Sequence, residues 1–270
     1  MSEQDIIKQT RLPVTASGML HDLRQLGIQE GDYLIVHSSL SSIGWVCGGA
    51  QAVVQALLQS VGAEGTLVMP AQSGDWSDPA EWGNPPVPQE WIDIIYNEMP
   101  AFDPAVTPTR GMGRIAELFR TYPGTLRSEH PQVSFCANGK YAEYMITGHP
   151  LTPQFGEASP LGKLYAAGAK ILLLGVGFDS CTSLHLAETR LDDMPTKKMG
   201  TAMLMNGERS WQWFTDYAYD SGDFDRIGAQ IEGQIRVRRG KIGQADCMLL
   251  PMKEAVDAAS KWLGRHRNLS

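Results

Sequence analysis

The sequence predicts a single α/β domain built on a mixed, mainly parallel sheet with helices on both faces. Short β-branched apolar runs such as DYLIVHSS (32–39) and KILLLG (170–175) have the pattern of strands buried on both sides. Amphipathic helical stretches alternate with these runs, which calls for crossovers between parallel strands. No linker, low-complexity tract or internal repeat divides the 270 residues, a length that buries a large core.

Each element follows from local chemistry. TASGMLHDLRQLGI (15–28) has helical apolar spacing, with Thr15 or Ser17 available as cap and Gly27 suited to its end. The strand at 32–39 leads through SSIGWVCGG into a helix starting near Gly49, and EGTLVMPA (64–71) is a second buried strand. This β-loop-α-β unit, with a right-handed crossover, makes the two strands parallel neighbours. Residues 72–110 are crowded with Pro, Trp and acidic side chains and read as a long loop, with a short helix in PQEWIDIIYNEM (88–99). Loops of this length inside a domain usually carry function. RGMGRIAELFRTYP (110–123) is a helix ended by Pro123 and Gly124, and SEHPQVSFCANGKYAEYMITGH (128–149) offers a short strand and a helix. SPLGKLYAAG (159–168) is a helix with Ser159 as cap and Pro160 at its first position, followed by the strand at 170–174. Residues 200–220 and 233–251 read as antiparallel and hairpin-like, ahead of a closing helix, MKEAVDAASKWLGRHR.

A net charge of −7 leaves no basic footprint for nucleic acid or an anionic membrane. It suits a small cationic substrate, although mild acidity also serves solubility. No apolar run approaches the ~20 residues that span a bilayer. The polar start MSEQDIIKQTRLP is neither a secretory signal nor a transit peptide, so a cytoplasmic location is expected. Cys47, Cys136, Cys181 and Cys247 form no CxxC pair, which argues for packed residues over a zinc knuckle or redox dithiol. A homodimer is compatible with the sequence, but no heptad pattern specifies one.

Two glycine patterns, in RGMGRIA and GVGFDS, lack the strand or acidic residue that a dinucleotide fingerprint requires. There is no P-loop and no GxSxG. HSSLSSIGWVCGG (37–49) leaves a strand and enters a helix through a Ser- and Gly-rich turn. Such a turn suits an anionic or amide-bearing ligand, or it is a capped helix start with Gly48 and Gly49 easing the bend. His37 at the strand end is either a core histidine or a reactive one. In GVGFDSCTSLHLAET (175–189), a helical turn puts Glu188 within reach of His185. A carboxylate beside an imidazole raises its basicity and fixes the nitrogen that faces a substrate, the arrangement of a general base. Thr182 and nearby backbone N–H groups are placed to polarise a carbonyl. HxxE also occurs often on solvated helices. As a metal site it would need further ligands, and none is evident, so no metal is expected.

Several stretches together resemble the aminoglycoside 3-N-acetyltransferase family: HSSLSSIGWVCGGAQAVVQAL, GTLVMPAQS, LLLGVGFDSCTSLHLAE, and the block from Gly113 to Gly139 with its R-S-x-H-P and S-F. The resemblance covers roughly residues 15–265. It implies a three-layer α/β/α sandwich in one domain spanning 1–270, with 72–110 forming part of the substrate cleft. It implies acetyl transfer from acetyl-CoA, without a metal, to the 3-amino group of an aminoglycoside, an antibiotic-resistance activity. His185 matches the catalytic histidine, Glu188 its partner, and Thr182 the residue near the thioester carbonyl. HSSLS, which is His37, Ser38, Ser39, Leu40 and Ser41, matches the coenzyme A stretch, with Thr107 and Arg110 where further contacts fall. For a polycation the sequence offers Asp75, Asp78, Glu81, Asp179, Asp216, Asp220, Asp223 and Asp225, with Trp76 and Trp82 as walls. For any one of these carboxylates a solvated role is the alternative. Cys181 stands where family members often carry Asn. The rival functions are an acyltransferase with a non-antibiotic amine acceptor and a non-catalytic coenzyme A-binding protein.

Overall fold

In the computed structural model, which describes residues 2–267, the buried runs assemble into a seven-stranded sheet. Its strands are β1 (Tyr33–Ser38), β2 (Thr66–Pro70), β3 (Leu126–Arg127), β4 (Phe135–Gly139) and β5 (Lys170–Leu174). A separate hairpin, β6 (Thr196–Met205) and β7 (Glu208–Tyr217), precedes β8 (Arg238–Ile242) and β9 (Ala245–Pro251), which return to the sheet. The order is β3-β4-β2-β1-β5-β9-β8. β1 pairs in parallel with both β2 and β5, and the other four pairings are antiparallel. Parallel pairing is thus confined to the centre. Strand direction is still mainly shared, because each flank reverses twice and β3 and β8 run the same way as the central three. The outermost reversals, β3 to β4 and β8 to β9, are made by short connections, which join only antiparallel neighbours.

Ten helices lie among the described residues: α1 (Glu3–Gln9), α2 (Ala16–Leu26), α3 (Gly49–Val61), α4 (Ile92–Glu98), α5 (Gly113–Arg120), α6 (Ala142–Ile146), α7 (Pro160–Ala167), α8 (His185–Glu188), α9 (Phe224–Ile231) and α10 (Met252–His266). Side chains alternate across each strand, so one sequence run feeds two cores. Leu34, Val36, Leu172 and Leu174 join the core formed with α2, α3 and α5. Ile35, Ile171 and Leu173 join the opposite core, with α6 to α10. Each such fully buried side chain contributes roughly 1.5–3 kcal/mol. Thr15 caps α2 by accepting from the Gly18 N–H at 3.1 Å, and Ser159 caps α7 by accepting from the Leu161 N–H at 3.2 Å.

The hairpin turns at Asn206–Gly207, both at positive φ, the geometry preferred by two-residue hairpin loops. It braces the 72–110 segment. The Phe102 N–H donates to the Ala202 carbonyl at 2.9 Å, and Tyr96 packs on Trp211 with ring centroids 4.8 Å apart. The sequence reading omitted α1, β3 and α9. α1 buries no residue and is held by the Ser2–Asp5 capping box, so it carries no apolar period to detect. β3 has two residues, too few for a pattern.

Candidate active site

β1 and β5 lie side by side in parallel, with Ser38 opposite Leu174, so their carboxyl ends open onto one edge of the sheet. The chain leaves β1 for α3 on one face and reaches β5 from α7 on the other. A crevice forms where connections diverge in this way. The two loops are tied together. The Ser39 N–H donates to the Leu174 carbonyl at 3.0 Å, and the Ser42 hydroxyl donates to the Gly175 carbonyl at 3.0 Å. Gly175 sits at φ +68°, and a Cβ there would meet the Ser42 Cβ at 2.6 Å, so the crossing requires glycine.

A 3₁₀ turn at Thr182–Leu184 runs directly into α8, which brings His185 and Glu188 together. His185 Nδ1 bonds Glu188 Oε2, leaving Nε2 without a partner among the described residues. The Glu188 side chain is fully buried. Its Oε1 accepts from the Asp220 N–H at 3.0 Å and from the Arg267 guanidinium. The imidazole lies flat against Phe155, with centroids 4.7 Å apart and planes 10° from parallel, and meets Tyr219 edge-on at 5.5 Å. A ring so clamped keeps its orientation, and the buried carboxylate fixes its tautomer.

His185 lines a cavity of about 250 Å³ with Thr182, Asp179, Ser180, Ser221 and His37. His37 is buried, its Nε2 has no partner among the described residues, and burial, with a lesser effect of nearby His185, lowers its pKa to about 3. It is therefore neutral at ordinary pH. A second cavity of about 560 Å³ is lined by Ser38 to Ser41, Gly49, Gly113 and Arg114. The two share Ser38, Gly111, Met112, Val176 and Ser180 as walls. The starts of α3 and α5 border the second cavity, and neither has a side-chain cap among the described residues. Free N–H groups at two helix starts, beside an arginine and a run of hydroxyls, fit an anionic ligand.

The remaining predicted residues lie elsewhere or are already engaged. Thr107 is buried away from both cavities; its hydroxyl accepts from the Asp103 N–H at 3.0 Å. Arg110 forms an ion pair with Asp75 at 3.0 Å over a separate hollow within the 72–110 segment. The Trp76 indole donates to the Pro100 carbonyl at 2.9 Å. Asp216 is buried and accepts from the Thr152 hydroxyl and the Gln154 and Tyr217 N–H groups, while burial raises its pKa. Asp78 accepts from the Tyr96 hydroxyl, Asp223 pairs with Arg267, and Asp225 accepts from the Asp179 N–H. Cys181 is buried in the apolar core, which pushes its thiol up to about 12. It packs and does not line the cavity.

The R-S-x-H-P stretch forms a scaffold. Arg127 is buried and donates to the Ala71 carbonyl at 2.7 Å and the Ser73 hydroxyl at 2.8 Å. His130 and His149 are buried with both nitrogens of each ring bonded, and they hold the 149–154 segment ahead of Phe155.

The family model for aminoglycoside 3-N-acetyltransferase matches residues 35–264. The chain belongs to the aminoglycoside 3-N-acetyltransferase family. It is 48% identical over 258 residues to an aminoglycoside N(3′)-acetyltransferase-like protein, YokD, of Bacillus subtilis, a match covering 95% of each chain. The crystal structure of YokD superposes with a TM-score of 0.97 at 46% identity, covering 99% of each. A structure of AAC-IIIb with CoASH has a TM-score of 0.83 at 30% identity, covering 94% of this chain and 97% of that one. AAC-VIa bound to sisomicin has a TM-score of 0.84 at 31% identity, covering 95% and 100%. Within this family's fold, the chain sets a histidine–carboxylate pair beside a larger cavity lined by hydroxyls. Phe155, Tyr219, Arg114 and Arg267 went unread in the sequence, because none lies in a motif that names its role.

Proposed function

We propose that the chain is an acetyl-CoA-dependent N-acetyltransferase acting on the 3-amino group of an aminoglycoside, with His185 as general base. One observation carries this reading: His185 is tied through Nδ1 to buried Glu188 while its other nitrogen is free, beside a cavity that shares walls with one lined by Ser38 to Ser41. The CoASH complex of AAC-IIIb and the sisomicin complex of AAC-VIa support the two ligand classes.

The residues divide the work. Arg114, the Ser38–Ser41 hydroxyls and the two helix starts hold the phosphate-bearing coenzyme. His185 Nε2 takes the proton that the acceptor amine must lose to attack the thioester carbonyl. Glu188 stabilises the imidazolium that results, and the Thr182 hydroxyl donates to the charge developing on the carbonyl oxygen. His37, being neutral, places no competing positive charge beside the imidazolium. The thiolate leaves directly, so no acyl-enzyme is required.

A second reading is favoured by the carboxylates. Asp75, Asp223 and Asp216 already have internal partners, and Asp179 is the one carboxylate among the described residues lining the reaction cavity. A site with one free carboxylate suits a smaller amine. A thiol-release assay with acetyl-CoA against aminoglycosides and simple amines separates the two. Turnover with aminoglycosides supports the first reading, turnover confined to simple amines supports the second, and no turnover despite tight acetyl-CoA binding overturns both.

A further inference from the structure

We propose that Arg267, just past the end of α10, is a positioning residue that keeps the His185–Glu188 pair in its proton-accepting form. It lies outside the part of the chain matched by the family model, which ends at residue 264. The inference rests on the acetyltransferase reading only for its kinetic test.

Glu188 is the most enclosed charge in the site: its side chain has no exposure, and one oxygen is taken by His185. An ionised carboxylate buried there needs compensation. The other oxygen receives it from the Asp220 N–H and from the Arg267 guanidinium. Arg267 is held by a fork onto Asp223, with Nε at 2.9 Å from Oδ2 and Nη2 at 2.6 Å from Oδ1, and by the Asp220 carbonyl. Its side chain is only 14% exposed. Burial works against its charge, but the hydrogen bonds it donates to Asp223 and Glu188 outweigh that and raise its pKa.

Two long-range segments therefore converge on a dyad that is itself local. α10 brings Arg267, and the segment between β7 and α9 brings Asp220 and Asp223. The other titratable groups facing the pair are His37 on β1, neutral through burial, Tyr219, whose phenol burial keeps protonated, and Asp179, which lines the same cavity as His185 without bonding to the pair. Arg267 is thus the one cation bonded to the pair among the described residues.

The sign of its effect follows from charge. The resting dyad, carboxylate plus neutral imidazole, carries −1, and taking up a proton brings it to zero. A neighbouring cation favours the more negative form, so removing it makes the dyad hold a proton at higher pH. Removing the Asp223 charge has the opposite sign.

The test uses the full chain in Arg267→Gln, Arg267→Lys and Asp223→Asn forms. Turnover against pH and the titration of the His185 ring by NMR are both followed. For Arg267→Gln, kcat falls about tenfold at neutral pH, while the KM for acetyl-CoA stays within about twofold. The acid limb and the ring's titration midpoint both move up by about one pH unit. Arg267→Lys, which keeps the charge, returns the midpoint to within about 0.3 unit of the parent. Asp223→Asn moves it down. If Arg267→Gln and Asp223→Asn leave the midpoint in place and lower turnover equally at every pH, Arg267 only packs and the proposal is wrong. Should Arg267→Gln fail to fold, Asp223→Asn and Arg267→Lys decide it by the same midpoint. Should the parent chain turn over no amine, the acetyltransferase reading fails while the NMR midpoints still judge Arg267.

Discussion

Around His130 and His149 burial is near complete, and each ring nitrogen meets a neutral partner. His130 Nδ1 accepts from the Gln132 and Val133 N–H groups, and its Nε2 donates to the Leu151 carbonyl. His149 sits between the Ser128 hydroxyl and the Gln154 carbonyl. Around His185 one nitrogen meets a buried carboxylate and the other, beside a cavity, has no partner among the described residues. The two clusters are linked by rings, since Phe135 packs against both His149 and Phe155, and Phe155 stacks on His185. Burial lowers His130 to about 3 and His149 to about 4, so they are neutral struts. A carboxylate partner and an unpaired nitrogen, rather than burial, mark a histidine that can exchange a proton.

The largest effects should separate the clusters. His185→Ala is expected to lower kcat by ~10²–10⁴ while acetyl-CoA binding and the melting temperature hold. His149→Ala should do the reverse, costing about 1–3 kcal/mol through the partners it strands and leaving kcat per folded molecule within about threefold. Steady-state kinetics and thermal melts on the same preparations check the contrast; a stable but inactive His149→Ala would erase it.

Acid sensitivity is the next test. The folded-state values of His37, His130 and His149 lie below the ordinary histidine value, so the unfolded chain takes up protons first as pH falls. Their contribution is whole above about pH 6.5 and is lost progressively toward pH 4, each group contributing up to about 1.4 kcal/mol per pH unit. Denaturant unfolding at pH 7 and pH 5 reads this loss directly. His149→Gln should flatten the dependence by one group's share, and an unchanged slope would show that its neutrality plays no part.

Smaller effects are expected where the site meets its ligands and its packing. Arg114→Ala should raise the KM for acetyl-CoA about threefold to tenfold with kcat nearly kept, as loss of a charge-assisted phosphate contact requires. Cys181→Ala should cost about 1 kcal/mol with normal turnover, because the thiol is buried among apolar neighbours. A catalytic defect in that variant would mean that the packing around Cys181 also sets the angle of α8.

By itself the sequence determined what depends on near neighbours. Strand runs, the Ser159 cap, a cap for α2 at Thr15 or Ser17, and the reach between His185 and Glu188 follow from spacings of a few residues, and the parallel β1–β2 unit from the order strand, helix, strand. Tertiary structure decided which charges remain available. It paired Asp75 with Arg110, sank Asp216 under the 152–154 segment, and brought Arg267 from 79 residues away onto Glu188. Periodicity fixes which face a side chain takes, whereas its partner is set by how distant segments pack, and a buried charge keeps its ionised form only through that partner.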